Sequence, residues 1–373
     1  MSDQYGVLII GAGWVSTQHI SAYKNNPRTE IRAICDINHD AARRRVEDFQ
    51  LGDVGLYASI DEALRQPGVD LVSVCTPQHV HCENVLAAAA AGKHMIIEKP
   101  AGNSLDELQE MRDAVNRNGV KTVVSFVLRW NPLFQQIKRL IAEGILGEVA
   151  CVETDYQSYN SDWWGGWEQG RRKDLSVSAM AVAGCHAADA LRWFAAPGEY
   201  EAADPVELFA YAGGKRKGKS RQFNPLSNQW YEQSPLEYDG LEILLVKLAG
   251  GVLGKVSVNF EAVQPYTFPL RVYGDRGTIV GNRLYAPRDG QGEWVEIPGI
   301  PPDSSDVSHH PFQAEIDHFV QCVDDDVESH CNLADAIKTH ELTQSENDIT
   351  FPVGSCFSVS CRRGDCASRS PWR

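Results

Sequence analysis

Val7-Leu8-Ile9-Ile10-Gly11-Ala12-Gly13-Trp14-Val15-Ser16 is the stretch that decides the fold. Its four apolar residues read as a strand buried on both faces. They run into a G-x-G-x-x-G pattern in which Ser16 takes the third glycine's place. The first two glycines permit a tight turn and a close approach of backbone to a pyrophosphate, whose charge then lies at a helix N-terminus. The third position lets helix and strand pack closely, and a small serine suffices there. The pattern gains its weight from context: a strand before it, a helix after it, and an acid at the end of the next strand. That acid is Asp36, 36 − 13 = 23 residues beyond the second glycine. An aspartate so placed accepts hydrogen bonds from adenosine ribose hydroxyls and repels a 2′-phosphate, so NAD is expected and NADP is disfavoured. Arg43, Arg44 and Arg45 follow on a helix and read as solvated.

Working outward, residues 31–35, 71–75, 95–97 and 122–126 repeat the short apolar run, and residues 40–49, 80–91 and 104–118 carry helical patterns between them. Gly92 and Gly119 fall where helix C-caps belong. Such alternation predicts βαβ units and an α/β architecture, with a Rossmann-type doubly wound parallel sheet over residues 1–127. After a helix over 131–143, stopped by Gly144, the texture changes. Residues 206–211, 241–248, 252–260, 270–273 and 278–280 are strand-like, and Gly250-Gly251 reads as a hairpin turn. Helical spacing of Phe312, Ile316, Phe319, Val320 and Val323 follows, and then a helix over 333–342. Residues 128–350 are therefore expected to form an α+β domain with a large, mostly antiparallel open sheet. Residues 241–248 are apolar on both faces, and one small domain does not cover both. A homodimer or homotetramer through this sheet is expected.

The 373 residues suffice for two such domains. A formal charge of −15 argues against nucleic acid or an anionic membrane as partner. The basic run Lys215-Arg216-Lys217-Gly218-Lys219-Ser220-Arg221 reads as a solvated loop. Neither a basic start nor a long apolar segment follows Met1, and the ten cysteines lack framework spacing. A cytoplasmic protein with reduced thiols is expected. Residues 351–373 form the exception: three cysteines and four arginines crowd their last 20 positions without amphipathic period, so a disordered tail is expected.

Chemistry concentrates in three places. Glu98-Lys99-Pro100 closes the strand-like His94-Met95-Ile96-Ile97. Thr76-Pro77-Gln78-His79-Val80-His81 closes residues 71–75, again at the carboxyl edge where ligands bind in open α/β sheets. Cys75, His79, His81 and Cys82 straddle a strand end and a helix start and do not converge as zinc ligands do, so no metal is expected. The third is Gly184-Cys185-His186-Ala187-Ala188-Asp189. Histidine is the side chain whose unperturbed pKa best suits a general base, and Asp189 shares a helix face with His186, with Arg192 as a rival partner. The segment from Tyr156 through Trp163, Trp164 and Trp167 to Arg171-Arg172-Lys173 interleaves aromatics with amides and charges, a composition suited to carbohydrate. Ser308-His309-His310-Pro311 is a second polar segment, placed either to line a cleft or to cap a helix.

As a set, the glycine turn, the Thr76-Pro77 segment, Glu98-Lys99-Pro100 and the Gly-x-His-x-x-Asp helix resemble the Gfo/Idh/MocA oxidoreductases, over about residues 5 to 345. The resemblance implies a cofactor site of Gly11, Gly13, Trp14, Val15, Asp36, Ile37, Thr76, Pro77, His81, Glu98 and Lys99. It places Lys99 beside the nicotinamide and the reacting hydroxyl, with His186 facing that hydroxyl as its catalytic partner. The substrate-binding set is Lys99, Tyr156, Trp163, Trp164, Lys173, His186, Asp189 and His309. One departure is Val182, where many members carry an Asp four residues before the histidine; proton relay is then left to Lys99 and His186, aided by Lys173. The function so implied is an NAD-dependent dehydrogenase acting on a ring hydroxyl of a sugar, glycoside or cyclitol. A redox-closed glycosidase or lyase working through a transient keto-sugar, and a non-catalytic NAD-binding regulator, remain as alternatives.

Overall fold

The computed structural model describes residues 4–159, 168–287, 292–297, 310–344 and 359–360. The chain divides into two compact units: Met1–Gln135 with Trp167–Val177 and Asp306–His340, and Gln136–Gly166 with Ser178–Ser305 and Glu341–Arg373.

In the first unit β1 (Tyr5–Ile10), β2 (Thr29–Cys35), β3 (Gly55–Tyr57), β4 (Leu71–Val74), β5 (His94–Ile97) and β6 (Thr122–Val124) form a parallel sheet in the order β3-β2-β1-β4-β5-β6. Every pair in it is parallel. Val7, Leu8, Ile9, Val72, Ile96 and Ile97 are wholly buried, as apolar runs require when helices cover both faces. Those helices are α1 (Trp14–Asn25), α2 (His39–Asp48), the short α3 (Ile60–Ala63), α4 (His81–Ala90) and α5 (Leu105–Asn118). Ser104 caps α5 by accepting from the Glu107 N–H, and Gly119 ends it in the left-handed conformation, φ 64°. Strand order reverses between β1 and β4, so a crevice opens at their carboxyl ends. β6 stops at Val124, short of the expected 126, because the Val124 N–H turns to the Cys331 carbonyl and that of Phe126 folds back onto Val124. The unit also takes in α9 (Phe312–Asp324) from late in the chain, which packs beside α1 with the Phe312 ring 5.4 Å from that of His19.

The second unit is built on a nine-stranded sheet. α6 (Pro132–Ala142) runs towards it in sequence, and β7 (Val149–Gln157) lies in its middle. After α7 (Lys173–Ser176), which belongs to the first unit, and α8 (Cys185–Ala195) come β8 (Pro205–Gly213), the separate hairpin β9 (Arg221–Asn224) and β10 (Gln229–Glu232), β11 (Leu241–Leu248), β12 (Leu253–Asn259), β13 (Leu270–Gly274), β14 (Thr278–Val280), β15 (Arg283–Tyr285) and β16 (Val295–Glu296). The order is β16-β15-β14-β13-β7-β12-β11-β8, then β17 (Val359–Ser360), with β7 and β12 parallel and the other neighbours antiparallel. Gly250 and Gly251 make the β11–β12 turn at φ 84° and 86°, the conformation a tight hairpin needs. β17 departs from the structureless tail expected of residues 351–373. Its two residues pair with Leu208 and Glu207 on the open edge of β8, a contact that asks only for extended backbone; the rest of that tail, with Cys356, Cys361 and Cys366, lies outside the described residues. The basic run is also better anchored than a solvated loop. Arg216 stacks 4.5 Å from the Tyr159 ring centroid and donates to the Phe260 carbonyl at 2.7 Å, and Lys217 pairs with Asp239 at 2.9 Å. Among the described residues, no helix is long and apolar enough to cross a membrane.

α8 is buried along its whole length. Thr154 on β7 donates to the Ala187 carbonyl at 2.8 Å, and Gly184 comes so close to β12 that an added Cβ would lie 3.0 Å from that of Val258. The carboxylate of Glu242 on β11, itself buried, receives the N–H groups of Ala179 and Met180 at 3.1 and 2.7 Å, holding the turn that leads into the helix. Beyond its other end, the ammonium of the fully buried Lys138 donates to the carbonyls of Trp193, Ala196 (2.7 Å) and Glu201 (3.0 Å). Three donors meet three acceptors. Lys138→Met keeps the stem and strands the carbonyls, so a loss of roughly 3 kcal/mol in unfolding free energy is expected from urea titration. A loss too small to measure would show that the ammonium is dispensable.

Candidate functional site

Ile10 delivers the chain into the glycine turn at the carboxyl edge of β1. Gly11 has φ +92°, and an added Cβ would meet the Cys75 backbone at 2.8 Å, so glycine is required there. At Gly13 an added Cβ would meet nothing within 4 Å. That open space faces the start of α1, whose N-cap Gly13 contributes no side-chain hydrogen bond. A bare helix start beneath an open glycine is a cradle for a pyrophosphate, and the residues present fit a dinucleotide. Ser16, wholly buried, donates to the Gly13 carbonyl at 2.7 Å, so its hydroxyl is satisfied where a glycine would lack one.

Asp36 directly follows β2, half-buried, and its two oxygens accept the N–H groups of Ala12 (2.6 Å) and Asn38 (2.7 Å). Arg45, read from sequence as solvated, instead reaches back to the carbonyls of Ala12 (3.2 Å) and Gly13 (3.4 Å) while pairing with Asp48. An acid thus holds one N–H of the turn and a base its carbonyls. Trp14 and Ile37 flank this turn with 61% and 94% of their surface exposed, and Val15 is half-buried.

Beyond β4, Thr76 and Pro77 are half-buried. His81 lies beneath them with 1% exposed: its Nε2–H donates to the Thr76 carbonyl at 2.7 Å, and burial lowers its basicity so that the ring stays neutral. The imidazole therefore holds the Thr76-Pro77 turn. Asn84 on α4 supports the same turn by donating to the Thr76 hydroxyl at 3.0 Å.

Glu98-Lys99-Pro100 leaves β5 in the same region. The Glu98 N–H bonds the Val74 carbonyl at 3.0 Å, and the Lys99 N–H is received by Glu98 Oε2 at 3.1 Å. The Ala101 N–H bonds Nε2 of the buried His340, whose Nδ1–H is committed to the Ala336 carbonyl at 2.8 Å. Lys99 itself is half-buried.

Glu98 is almost fully buried, and what surrounds it escaped the sequence reading. His19 on α1, 0% exposed, lies with Nε2 2.9 Å from Glu98 Oε1 and Nδ1 2.7 Å from the Ser73 hydroxyl. Burial alone would make the ring less basic. Cys75 and Glu98 outweigh it and raise His19 well above the usual histidine range. For Glu98 burial works the other way, yet the hydrogen bond and charge of His19, with Lys99 and Ser125, bring its carboxyl below the usual range. Glu315 on α9 is the counterpart: wholly buried, 2.9 Å from the Ser125 hydroxyl, and pushed up to about 8 first by burial and then by the Glu98 charge. A signal for both existed. Ser16, His19, Ile20 and Tyr23 share the buried face of α1, as Phe312, Glu315, Ile316 and Phe319 share that of α9, and a polar residue on an apolar stripe asks for a buried partner.

In the second unit His186 and Asp189 lie on α8, 4% and 2% exposed. Arg192, proposed as a rival partner for Asp189, donates its Nε–H to the Ala203 carbonyl at 3.0 Å. Tyr156 is 4% exposed and packs at 4.9 Å against the ring of Tyr266 and at 6.2 Å against Phe260. Lys173 begins α7 on the exposed surface of the first unit. Trp163, Trp164 and His309 lie outside the described residues. Among the described residues, no group of three or more His, Cys, Asp or Glu is placed to hold a metal ion.

The buried carboxyl of Glu315 makes a pH prediction. Between the ordinary 4.5 and about 8, the folded protein keeps a proton that the unfolded chain has lost, so this group's contribution to stability falls as pH rises through that window. Glu315→Gln has no proton to lose. Its melting temperature relative to wild type should rise from pH 5.5 to pH 8.5 in calorimetry; a constant difference would show that Glu315 does not titrate late.

Comparison with known proteins agrees with this geometry. Residues 5–126 match the model of an oxidoreductase family with an NAD-binding Rossmann fold, and residues 134–280 match a GFO/IDH/MocA C-terminal domain. A levoglucosan dehydrogenase from Pseudarthrobacter phenanthrenivorans is 25% identical over 293 residues, covering 75% of this chain and 74% of that protein. A 4-carboxy-2-hydroxymuconate-6-semialdehyde dehydrogenase from Sphingobium is 25% identical over 336 residues, 90% of this chain and 96% of that protein. Among solved structures, a levoglucosan dehydrogenase in complex with NADH superposes with a TM-score of 0.76 at 20% identity, covering 90% of this chain and 94% of that one, a likeness of fold. With the glycine turn, the Glu98-Lys99-Pro100 edge and both family domains in place, the chain belongs to the Gfo/Idh/MocA family of NAD-binding oxidoreductases.

Proposed function

We propose that this oxidoreductase is an NAD-dependent dehydrogenase that oxidises a ring hydroxyl of a sugar, glycoside or cyclitol. The observation that carries the reading is the tethering of Lys99. Its backbone is fixed at the end of β5 by the buried Glu98 carboxylate, at the same edge of the sheet as the open glycine cradle. The substrate class is supported by the Pseudarthrobacter relative, a dehydrogenase of the sugar levoglucosan. NAD when bound supplies the hydride acceptor. The hydroxyl proton is left to the chain: Lys99 hydrogen-bonds the hydroxyl and His186 takes its proton, with Asp189 one turn further along α8 orienting the ring or the substrate. Asp36 accepts the ribose hydroxyls and disfavours a 2′-phosphate.

The test is a panel of sugars, glycosides and cyclitols with NAD and with NADP, followed by absorbance of the reduced cofactor and by product mass. NADH should accumulate in step with a keto product, and NAD should be preferred to NADP. Lys99→Ala and His186→Ala should each cost at least 10²-fold in kcat while NAD still binds. Release of aglycone without net NADH, or turnover of either variant near the wild-type rate, would refute the scheme.

The assembly is proposed to be a homodimer or homotetramer through the nine-stranded sheet. Glu242, Leu244, Val246 and Leu248 face the core, and the alternate face leaves Leu245 and, diagonal to it on β12 and opposite Lys247, Leu253 more than half exposed. Ile243 and its register partner Tyr211 extend that apolar strip. Light scattering should give two or four times the chain mass, and Leu245→Asp should lower it; a wild-type monomer would refute the assembly.

A further inference from the structure

Behind Lys99 lies a set of buried polar groups of which the proposed chemistry uses only Glu98, as the tether of Lys99. His19 comes from α1, Ser73 from β4, Glu98 from the end of β5 and Glu315 from α9. His19 and Glu315 are 0% exposed and Glu98 is 7% exposed. Tyr23 on α1, Cys75 after β4, His81 on α4 and Lys99 complete the titratable groups coupled to them.

The contacts accommodate two states of His19: a neutral ring accepts from Ser73 at Nδ1 and donates to Glu98 from Nε2, and a charged ring donates from both nitrogens. The Ser73 hydroxyl is 2.7 Å from His19 Nδ1 and 3.6 Å from Cys75 Sγ. With both ring nitrogens protonated, Nδ1–H donates to Ser73, Nε2–H donates to Glu98, and the serine hydrogen passes on to the sulfur. On the far side, Ser125 bonds both carboxyl groups. A protonated Glu315 can donate to the serine oxygen, and the serine hydrogen then points to Glu98. One imidazolium, one carboxylate and one neutral acid satisfy these contacts; two carboxylates would leave a buried negative charge without a partner.

We propose that His19 is a positioning residue for Lys99 acting through Glu98: the buried imidazolium fixes the carboxylate that holds the Lys99 backbone and keeps one negative charge next to this lysine. Glu98 reaches the Lys99 N–H with Oε2 and His19 with Oε1, so the torsions of its side chain are set from the helix side. Turning that carboxylate releases the Lys99 N–H and shifts the amine at the strand end, where a displacement of about 1 Å can cost 10²-fold in rate. The inference rests on Lys99 acting in the reaction, as proposed above.

His19→Gln, Glu98→Gln, their double variant and Lys99→Ala should be compared on the full-length protein. Gln at 19 retains a neutral donor towards Glu98 but carries no charge. It should lower kcat about ten-fold or more, with KM and the NAD dissociation constant within about two-fold. The double variant should be no slower than the worse single one, because both changes break one unit. Wild-type kcat in His19→Gln beside an inactive Lys99→Ala would overturn the role of His19 alone. An active Lys99→Ala would overturn the reading of Lys99 and this one together. Additive losses in the double variant would also overturn it. Should His19→Gln fail to fold, ¹⁵N NMR of the wild-type histidine rings decides: an imidazolium at pH 7.5 supports the pair and a neutral ring refutes it.

Discussion

A carboxylate without water is the constraint around which the first unit is arranged. Glu98 is 93% removed from solvent, and an ionised group so placed costs several kcal/mol unless its lone pairs are met. Meeting them requires α1 to bring His19, β5 to end where the Lys99 N–H turns inward, and residue 125 to present its hydroxyl. Each demand fixes the location of one element to within a hydrogen bond. The second unit applies the same rule to α8, whose approach is held by the buried carboxyl group of Glu242 and whose exit is held by Lys138. In both units polar burial is spent on the segment that carries a candidate acid–base residue.

How much of this was legible follows from where the partners lie. Strands β1, β4 and β5 announce themselves, because four to six residues buried on both faces leave little but apolar side chains. The glycine turn was legible for a similar reason: its requirements are local, and Gly11 meets them with its own dihedral. β7 was not, since Val149–Gln157 breaks from four apolar residues into Glu153-Thr154-Asp155, and the buried Asp155 is answered by Lys255 and Ser257 from a strand about 100 residues later. His19 and Glu315 failed for the same cause. Their partners stand 79 and 190 residues away, and sequence shows a polar residue on an apolar stripe without showing what satisfies it. Arg45 looked like one of three solvated arginines because nothing nearby in sequence shows that it folds back on Ala12 and Gly13.

The dinucleotide edge shows how a turn can be rigid and open together. Asp36 and Arg45 hold Ala12 and Gly13 through their backbone N–H and carbonyl groups, and Gly13 stays uncovered. Such preorganisation means that little ordering is left for binding itself to supply. Exposed Trp14 and Ile37 border that opening, so apolar surface is available where an adenosine would be received.

The placement of α9 bears on the order in which the molecule can be made. This helix covers His19 with Phe312 and brings Glu315 to the Glu98 cluster, yet it follows β6 by nearly 190 residues. A ribosome that has released the six parallel strands has therefore not yet released what seals them. During that interval an apolar flank of α1 and a buried-type ion pair both face water, the kind of intermediate that chaperones retain and that aggregates when crowded. Contacts of such long sequence separation also slow closure of the unit. The dinucleotide-binding half cut at residue 127 would thus lack the wall that α9 supplies to α1.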